Sequence, residues 1–352
     1  MLSAYLFAPR DLRLIEREPL ALRPQDVRVA VACSGICGTD LHVYAGMDFG
    51  GPANRRSGAE PRPPTAEVRF AEPRPFGHEF AGRVIEVGAE VTTLKVGDRV
   101  TAIPNTPCGK CNFCRAGRGY ACQNRGGLRS GSWASSVVIR EQNVFRLPDD
   151  VADRVGALTE PLACAVRAVD RSELRSGDRV CVVGGGPIGL FVAAVARASG
   201  ASQVIVSEPK AYRRALAAQL GATQTVDPTR ESLADVVLDA TDGLGAEVVF
   251  EAVGHPKTIE QAIAAVAPGG TLVVVGVTDA AAQLTMPGQE LFHRELTIRG
   301  TKGPTFAVPR TINWLRTLNL EPILTHTFPL NQVQEAIDLG LSGEAGKILL
   351  VP

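Results

Sequence analysis

No charge excess of either sign marks this 352-residue chain, in which 37 basic residues balance 37 acidic ones. A neutral chain lacks the field that draws nucleic acid or an anionic membrane, so neither is expected as a partner. Long hydrophobic runs are missing too. None approaches the ~20 apolar residues that a membrane-spanning helix needs. The opening stretch Met1–Arg10 is too short for a secretory apolar region and has no basic residues before it. Asp11, Arg13, Glu16 and Arg17 follow at once. The expectation is therefore a cytoplasmic protein, where thiols stay reduced and clustered cysteines bind metal more often than each other. No internal repeat is visible. What the chain does have is length for about two domains and a hydrophobic content of 45%, ample for real cores.

Cys108, Cys111, Cys114 and Cys122 fall within fifteen residues, with gaps of two, two and seven. That spacing lets one short lobe wrap four thiolates around a tetrahedral ion. Zinc suits such a soft donor set; an iron–sulfur cluster is the rival. Four protein ligands leave no open position, so the site is structural. Binding there contributes roughly 10–16 kcal/mol to holding the lobe.

A second signal begins at Arg179. Residues 179–183 read as a buried strand, and Gly184-Gly-Gly186-Pro187-Ile188-Gly189 matches G-x-G-x-x-G. Leu190–Ala198 reads as a helix ended by Gly200, and Gln203–Val206 as a second strand. This context makes the motif a dinucleotide-binding turn, with the pyrophosphate on the helix N-terminus. Glu208 ends the second strand, where a carboxylate accepts hydrogen bonds from ribose hydroxyls and repels a 2′-phosphate. NAD is thereby favoured over NADP. Arg213 and Arg214 follow and temper that preference. The expected cofactor-binding residues are Gly184, Gly186, Pro187, Ile188, Gly189, Glu208 and Arg213.

Strand and helix patterns alternate to about residue 300. Gln224–Val226, Ala246–Phe250, Thr271–Val277 and Leu296–Arg299 are the β-rich runs. Lys210–Leu220 and Thr258–Val266 are helical, the latter closed by Gly269-Gly270. This alternation specifies a doubly wound parallel α/β sheet of Rossmann type. Before residue 150, short runs such as Val27–Ala32, Arg83–Val87 and Val137–Ile139 sit among Gly and Pro turns, as in a partly closed β-barrel. A helix near Asn331–Leu341 and a strand Lys347–Val351 close the chain. The expected domains are 1–150, carrying the cysteine lobe, and 151–295, binding the dinucleotide. Residues 296–352 are expected to return to complete the first.

The third constellation joins Cys37-Gly-Thr39-Asp40-Leu-His42 with Gly77-His78-Glu79. Taken singly, Cys37 and His78 could be ordinary core residues. Beside a dinucleotide fold and a structural metal, they point to a second, catalytic one. Here the chain resembles the zinc-dependent medium-chain dehydrogenase/reductase (alcohol dehydrogenase) family along nearly its whole length. It is most similar to the branch holding sorbitol, threonine and butanediol dehydrogenases.

The resemblance implies a GroES-like catalytic domain, NAD, and two zinc ions, one catalytic and one structural. Cys37, His78 and Glu79 would be catalytic zinc ligands. Glu160, in Thr159-Glu160-Pro161, would approach the metal directly or through water. Asp40 would accept the other ring proton of His78. Thr39 and His42 would relay the alcohol proton through a cofactor ribose hydroxyl to water. The implied reaction is hydride transfer between NAD and a secondary alcohol: a polyol, vicinal diol, amino alcohol or cyclitol. An alcohol donates hydride poorly until it loses its proton. Zinc brings the pKa of bound water from about 15.7 to about 7 and would act on an alcohol likewise. Two other classes are a zinc-free quinone or enone reductase, opposed by the ligand residues, and a non-catalytic NADH-binding protein, opposed by the intact site.

One departure stands out. Forty-one positions separate Cys37 from His78, and the excess is Gly50–Phe76, rich in Pro, Gly and Arg. A substrate lid is the expected role, with a subunit contact or a surface segment as alternatives. A homodimer or homotetramer is expected, with Thr271–Val277 near the joined edge. Cys33, Cys164 and Cys181 read as packing residues. His255, His293 and His326 have no partners at metal-ligand spacing.

Overall fold

The computed structural model describes residues 1–47, 72–279, 282–304 and 306–352. The expected lid thus lies outside the described residues except for its last five. The chain forms two compact units. The first comprises 1–161, 308–317 and 324–352; the second comprises 162–307 and 318–323. The division falls inside the helix Thr159–Ser172.

The first unit is built on a seven-stranded sheet. Its order is Val144–Arg146, Arg99–Ala102, Glu79–Val87, Asp26–Gly35, Lys347–Val351 and Leu324–Pro329, with Ser136–Arg140 also paired to Asp26–Gly35. Alternation decides which face each strand buries. Val27, Val29 and Val31 point one way from Asp26–Gly35, into a cluster with Phe80, Val84, Val100, Val137 and Ile139. A smaller sheet orders Asp11–Glu16, Leu2–Ala8 and Arg74–Pro75. Behind it, Trp133 packs edge-on against Phe76, ring centroids 5.1 Å apart. Such a pair adds about 0.5–1.5 kcal/mol beyond its buried area.

The second unit is a six-stranded parallel sheet. Its order is Gln224–Val226, Gln203–Ser207, Arg179–Val183, Ala246–Glu251, Val266–Val274 and Thr297–Gly300. Order reverses at Arg179–Val183, the first strand laid down, so a ligand crevice opens at its carboxyl end. The strand Thr297–Gly300, expected within the returning segment, pairs with Val266–Val274 in this unit.

One element differs from the sequence reading. Gly269-Gly270 does not close a helix. The helix is Pro256–Ala265, and Val266–Val274 runs as a strand straight through both glycines. Gly269 takes φ +75°. The register shifts there, with Ala246 opposite Val266 but Val248 opposite Thr271. The glycines make a bulge rather than a helix stop. The strand is also interior, flanked by Ala246–Glu251 and Thr297–Gly300. It therefore cannot be the sheet edge expected at Thr271–Val277. Among the described residues, no helix is long and apolar enough to cross a membrane.

Candidate metal and cofactor sites

The cysteine lobe is a short helical turn, Asn112–Arg115, between loops. The four sulfurs of Cys108, Cys111, Cys114 and Cys122 lie within 4.8 Å of one another. Cys111 Sγ is 3.5 Å from Cys114 Sγ and 3.9 Å from Cys122 Sγ; Cys108 and Cys114 are 3.9 Å apart. Four thiolates at about 2.3 Å from one tetrahedral zinc stand about 3.8 Å apart. The fit is to a single ion, not to a cluster that spreads its thiolates over several irons. Backbone N–H groups of Cys114 and Gln123 lower the Cys111 pKa to about 6, while burial raises Cys114 to about 12.

The second cluster sits where three segments of the first unit meet. Asp26–Gly35 delivers Cys37, the N-cap of the helix Gly38–Tyr44. Asp40 in that helix caps it, its Oδ2 accepting from the Cys37 N–H at 3.2 Å. Its other oxygen, Oδ1, lies 3.1 Å from His78 Nδ1. One carboxylate thereby orients two candidate ligands. Gly77 turns the chain into His78 at φ +81°, and a Cβ there would collide with the Trp133 ring. Glu79 begins the strand Glu79–Val87 and is completely buried.

The donor atoms of Cys37, His78 and Glu79 lie within 4.8 Å of one another. One sulfur, one imidazole and one carboxylate fit a three-ligand zinc site with an open fourth position. Glu79 Oε1 is buried with no hydrogen-bond partner among the described residues, as expected of an oxygen kept for a cation. Burial disfavours a proton on His78, but Asp40 and the Cys37 sulfur outweigh it and raise its pKa well above the usual value. The same anionic surroundings attract a metal.

Thr39 Oγ1 donates to Cys37 Sγ at 3.1 Å. His42, one helical turn on, is half-buried, and burial lowers its pKa. Glu160 is buried at the start of Thr159–Ser172. Burial raises it to about 7; His78 and Lys347 oppose the rise, and Glu79 and Asp40 add to it.

Sequence reasoning missed one member. Lys347, read only as the first residue of a closing strand, is 2% exposed and forms an ion pair with Glu79 Oε2. Its Nζ also donates to the Ile36 carbonyl at 2.8 Å. A lysine opening an apolar strand gives no sequence signal of a pairing partner 268 positions away.

In the second unit, Gly184–Gly189 forms the turn between Arg179–Val183 and the helix Pro187–Ala198. A Cβ on Gly189 would collide with the Gly184 carbonyl. Pro187 opens the helix, where its missing N–H costs nothing. Glu208 is buried, accepting from Gly185 N and Lys210 N, both at 2.9 Å. Arg213 Nη1 is 4.0 Å from it. Arg214 turns away, donating to the Glu208 carbonyl at 2.7 Å and pairing with Asp227 at 3.2 Å. His255 caps the helix Pro256–Ala265, and Cys33 and Cys181 are buried core.

A barrel-like unit with a three-ligand metal site, a four-cysteine lobe and a dinucleotide-binding sheet together define a zinc-dependent dehydrogenase. Residues 23–149 match the alcohol dehydrogenase GroES-like domain, and 187–317 match the zinc-binding dehydrogenase family. L-threonine 3-dehydrogenase of Caldanaerobacter subterraneus is 32% identical over 347 residues, covering 96% of this chain and 95% of that one. A putative zinc-binding dehydrogenase from Sinorhizobium meliloti, solved bound to NADP, aligns at TM-score 0.89 and 30% identity. It covers 100% of this chain and 99% of its own. The 2R,3R-butanediol dehydrogenase from Bacillus subtilis aligns at TM-score 0.84 and 29% identity, over 100% and 99%. The chain belongs to the zinc-containing medium-chain dehydrogenase/reductase family. It is an NAD(P)-linked dehydrogenase acting on alcohols, with a structural four-cysteine zinc site and a catalytic Cys–His–Glu zinc site.

Proposed function

We propose that this enzyme transfers hydride from a secondary alcohol bearing a neighbouring hydroxyl or amino group to NAD. The observation that carries the reading is the cluster Cys37–His78–Glu79, with Thr39 on the sulfur and Glu160 buried close by. Bound zinc supplies Lewis-acid polarisation of the substrate oxygen. The surrounding residues handle orientation and the proton. Thr39 would accept the alcohol proton while releasing its own hydroxyl proton to a bound cofactor's ribose hydroxyl, and His42, whose pKa burial lowers, would receive the relayed proton and release it to solvent. Asp40 fixes the His78 ring. Glu160 would hold a buried carboxylate beside this cluster.

Gly184, Gly186, Pro187, Ile188 and Gly189 would hold the pyrophosphate, and Glu208 the adenosine ribose. Glu208 opposes a 2′-phosphate, so NAD is preferred; Arg213 supports the same pocket. The substrate class rests on the relatives: one takes L-threonine and another 2R,3R-butanediol, each by name. A cytoplasmic setting suits it, because a four-cysteine metal site needs its thiols kept reduced. A second copy would pair along Thr297–Gly300, the edge of this sheet among the described residues, where Ile298 and, in the preceding helix Gly288–His293, Leu291 and Phe292 are exposed.

A screen of NADH release by the zinc-loaded enzyme tests this, across L-threonine, 2,3-butanediol, a hexitol and a cyclitol, with ethanol as control. At least one class should exceed ethanol by about tenfold or more in kcat/KM. No turnover of any class would overturn the reading.

A further inference from the structure

Lys347 forms an ion pair with Glu79, one of the catalytic-zinc ligands. The fold builds this contact deliberately. Asp26–Gly35 is sandwiched between Glu79–Val87 and Lys347–Val351, with Gly35 opposite Glu79 on one side and Leu349 on the other. Gly35 has no side chain, and a Cβ there would collide with Glu79 Oε2 and stand 2.9 Å from Lys347 Cε. The missing side chain is the space in which the pair meets. Lys347 is 2% exposed and Glu79 fully buried. The contact is an ion pair between a buried ammonium and a buried carboxylate.

We propose that Lys347 is a positioning residue that shares Glu79 with the catalytic metal, stabilising the metal-free site and weakening the grip of Glu79 on zinc. The inference rests on Cys37, His78 and Glu79 being the metal ligands. Its logic is linkage. A buried carboxylate that loses the cation bonded to it is strongly destabilised. Without metal, that cation is Lys347. With metal, Glu79 has two cations, and each weakens the claim of the other; Lys347 also repels the dication. Removing the lysine charge thus harms the metal-free form more than the loaded form. Whatever destabilises only the free form raises affinity for the ligand. Zinc affinity should rise when Lys347 is lost, whereas a merely structural role would lower stability in both forms alike and leave affinity unchanged.

The test is zinc release to a chromogenic chelator from enzyme purified fully loaded. The catalytic ion is the release phase that Cys37→Ser lacks. Lys347→Met, which keeps length and removes charge, should slow that phase by about tenfold or more. Lys347→Arg, which keeps the charge, should restore a rate near wild type. In a Glu79→Gln background, where no carboxylate is left to share, Lys347→Met should change the rate by less than about threefold. Unchanged or faster release in Lys347→Met overturns the proposal, as does a full effect in the Glu79→Gln background. If Lys347→Met does not accumulate as folded enzyme, the Glu79→Gln comparison and Lys347→Arg decide alone. If Cys37→Ser loses no zinc, the assignment of the metal site fails instead.

Discussion

At the residue scale, single atoms divide the labour between the two metals. Cys37→Ser should abolish turnover and leave NAD affinity within about twofold, because the dinucleotide turn belongs to a different unit. Cys111→Ser should instead lower the unfolding temperature of the first unit. Calorimetry and cofactor titration on both variants check this, and equal loss of fold in the two would contradict it. Gly77→Ala should cost about 2–5 kcal/mol in denaturant unfolding: the left-handed backbone penalty plus a collision with Trp133. A loss below about 1 kcal/mol would mean the turn can move. Glu208→Ser should weaken NAD by about tenfold or more and narrow its advantage over NADP. Wild-type enzyme with a higher kcat/KM for NADP would refute that role for the carboxylate. These positions were legible in the sequence because motif spacing carries them. Lys347 was not, since it meets Glu79 only after the last strand returns beside Asp26–Gly35.

At the element scale, most of the parallel sheet could be read directly, because buried strands separated by amphipathic helices leave a strong period. Gln224–Val226 and Lys347–Val351 fall where the pattern put them. The failure at Gly269-Gly270 has a physical cause. A glycine pair signals a break in either a helix or a strand, and only pairing with Ala246–Glu251 decides which. The strands Leu2–Ala8 and Asp11–Glu16 escaped notice because their mixed sequences alternate weakly. The start of Arg179–Val183 is tied to its neighbour by Glu247, which accepts from Arg179 N at 2.8 Å and pairs with its guanidinium. Burial raises the Glu247 pKa, but the Arg179 hydrogen bonds outweigh it and the net shift is downward. A lowered carboxylate binds fewer protons folded than unfolded. Its stabilisation is present above about pH 4.5 and is lost as pH falls through the folded pKa. Glu247→Gln should therefore flatten the acid side of the stability profile, and an unchanged acid slope would contradict the pairing.

At the scale of the whole molecule, both metal sites lie in the first unit and the dinucleotide turn in the second. Association is expected through the edge Thr297–Gly300, so light scattering should return a dimer or tetramer mass, and Ile298→Lys should lower it. A monomer at working concentration would remove that interface. The central claim is that one zinc per chain serves chemistry and the other serves the fold. Stepwise removal of zinc by chelator, with bound zinc and NAD-linked alcohol oxidation followed in the same sample, tests it most directly. Activity should fall in proportion to the first zinc lost and reach zero with one zinc per chain remaining and the protein still folded. Activity that survives the first zinc, or a fold that collapses along with it, would contradict the claim.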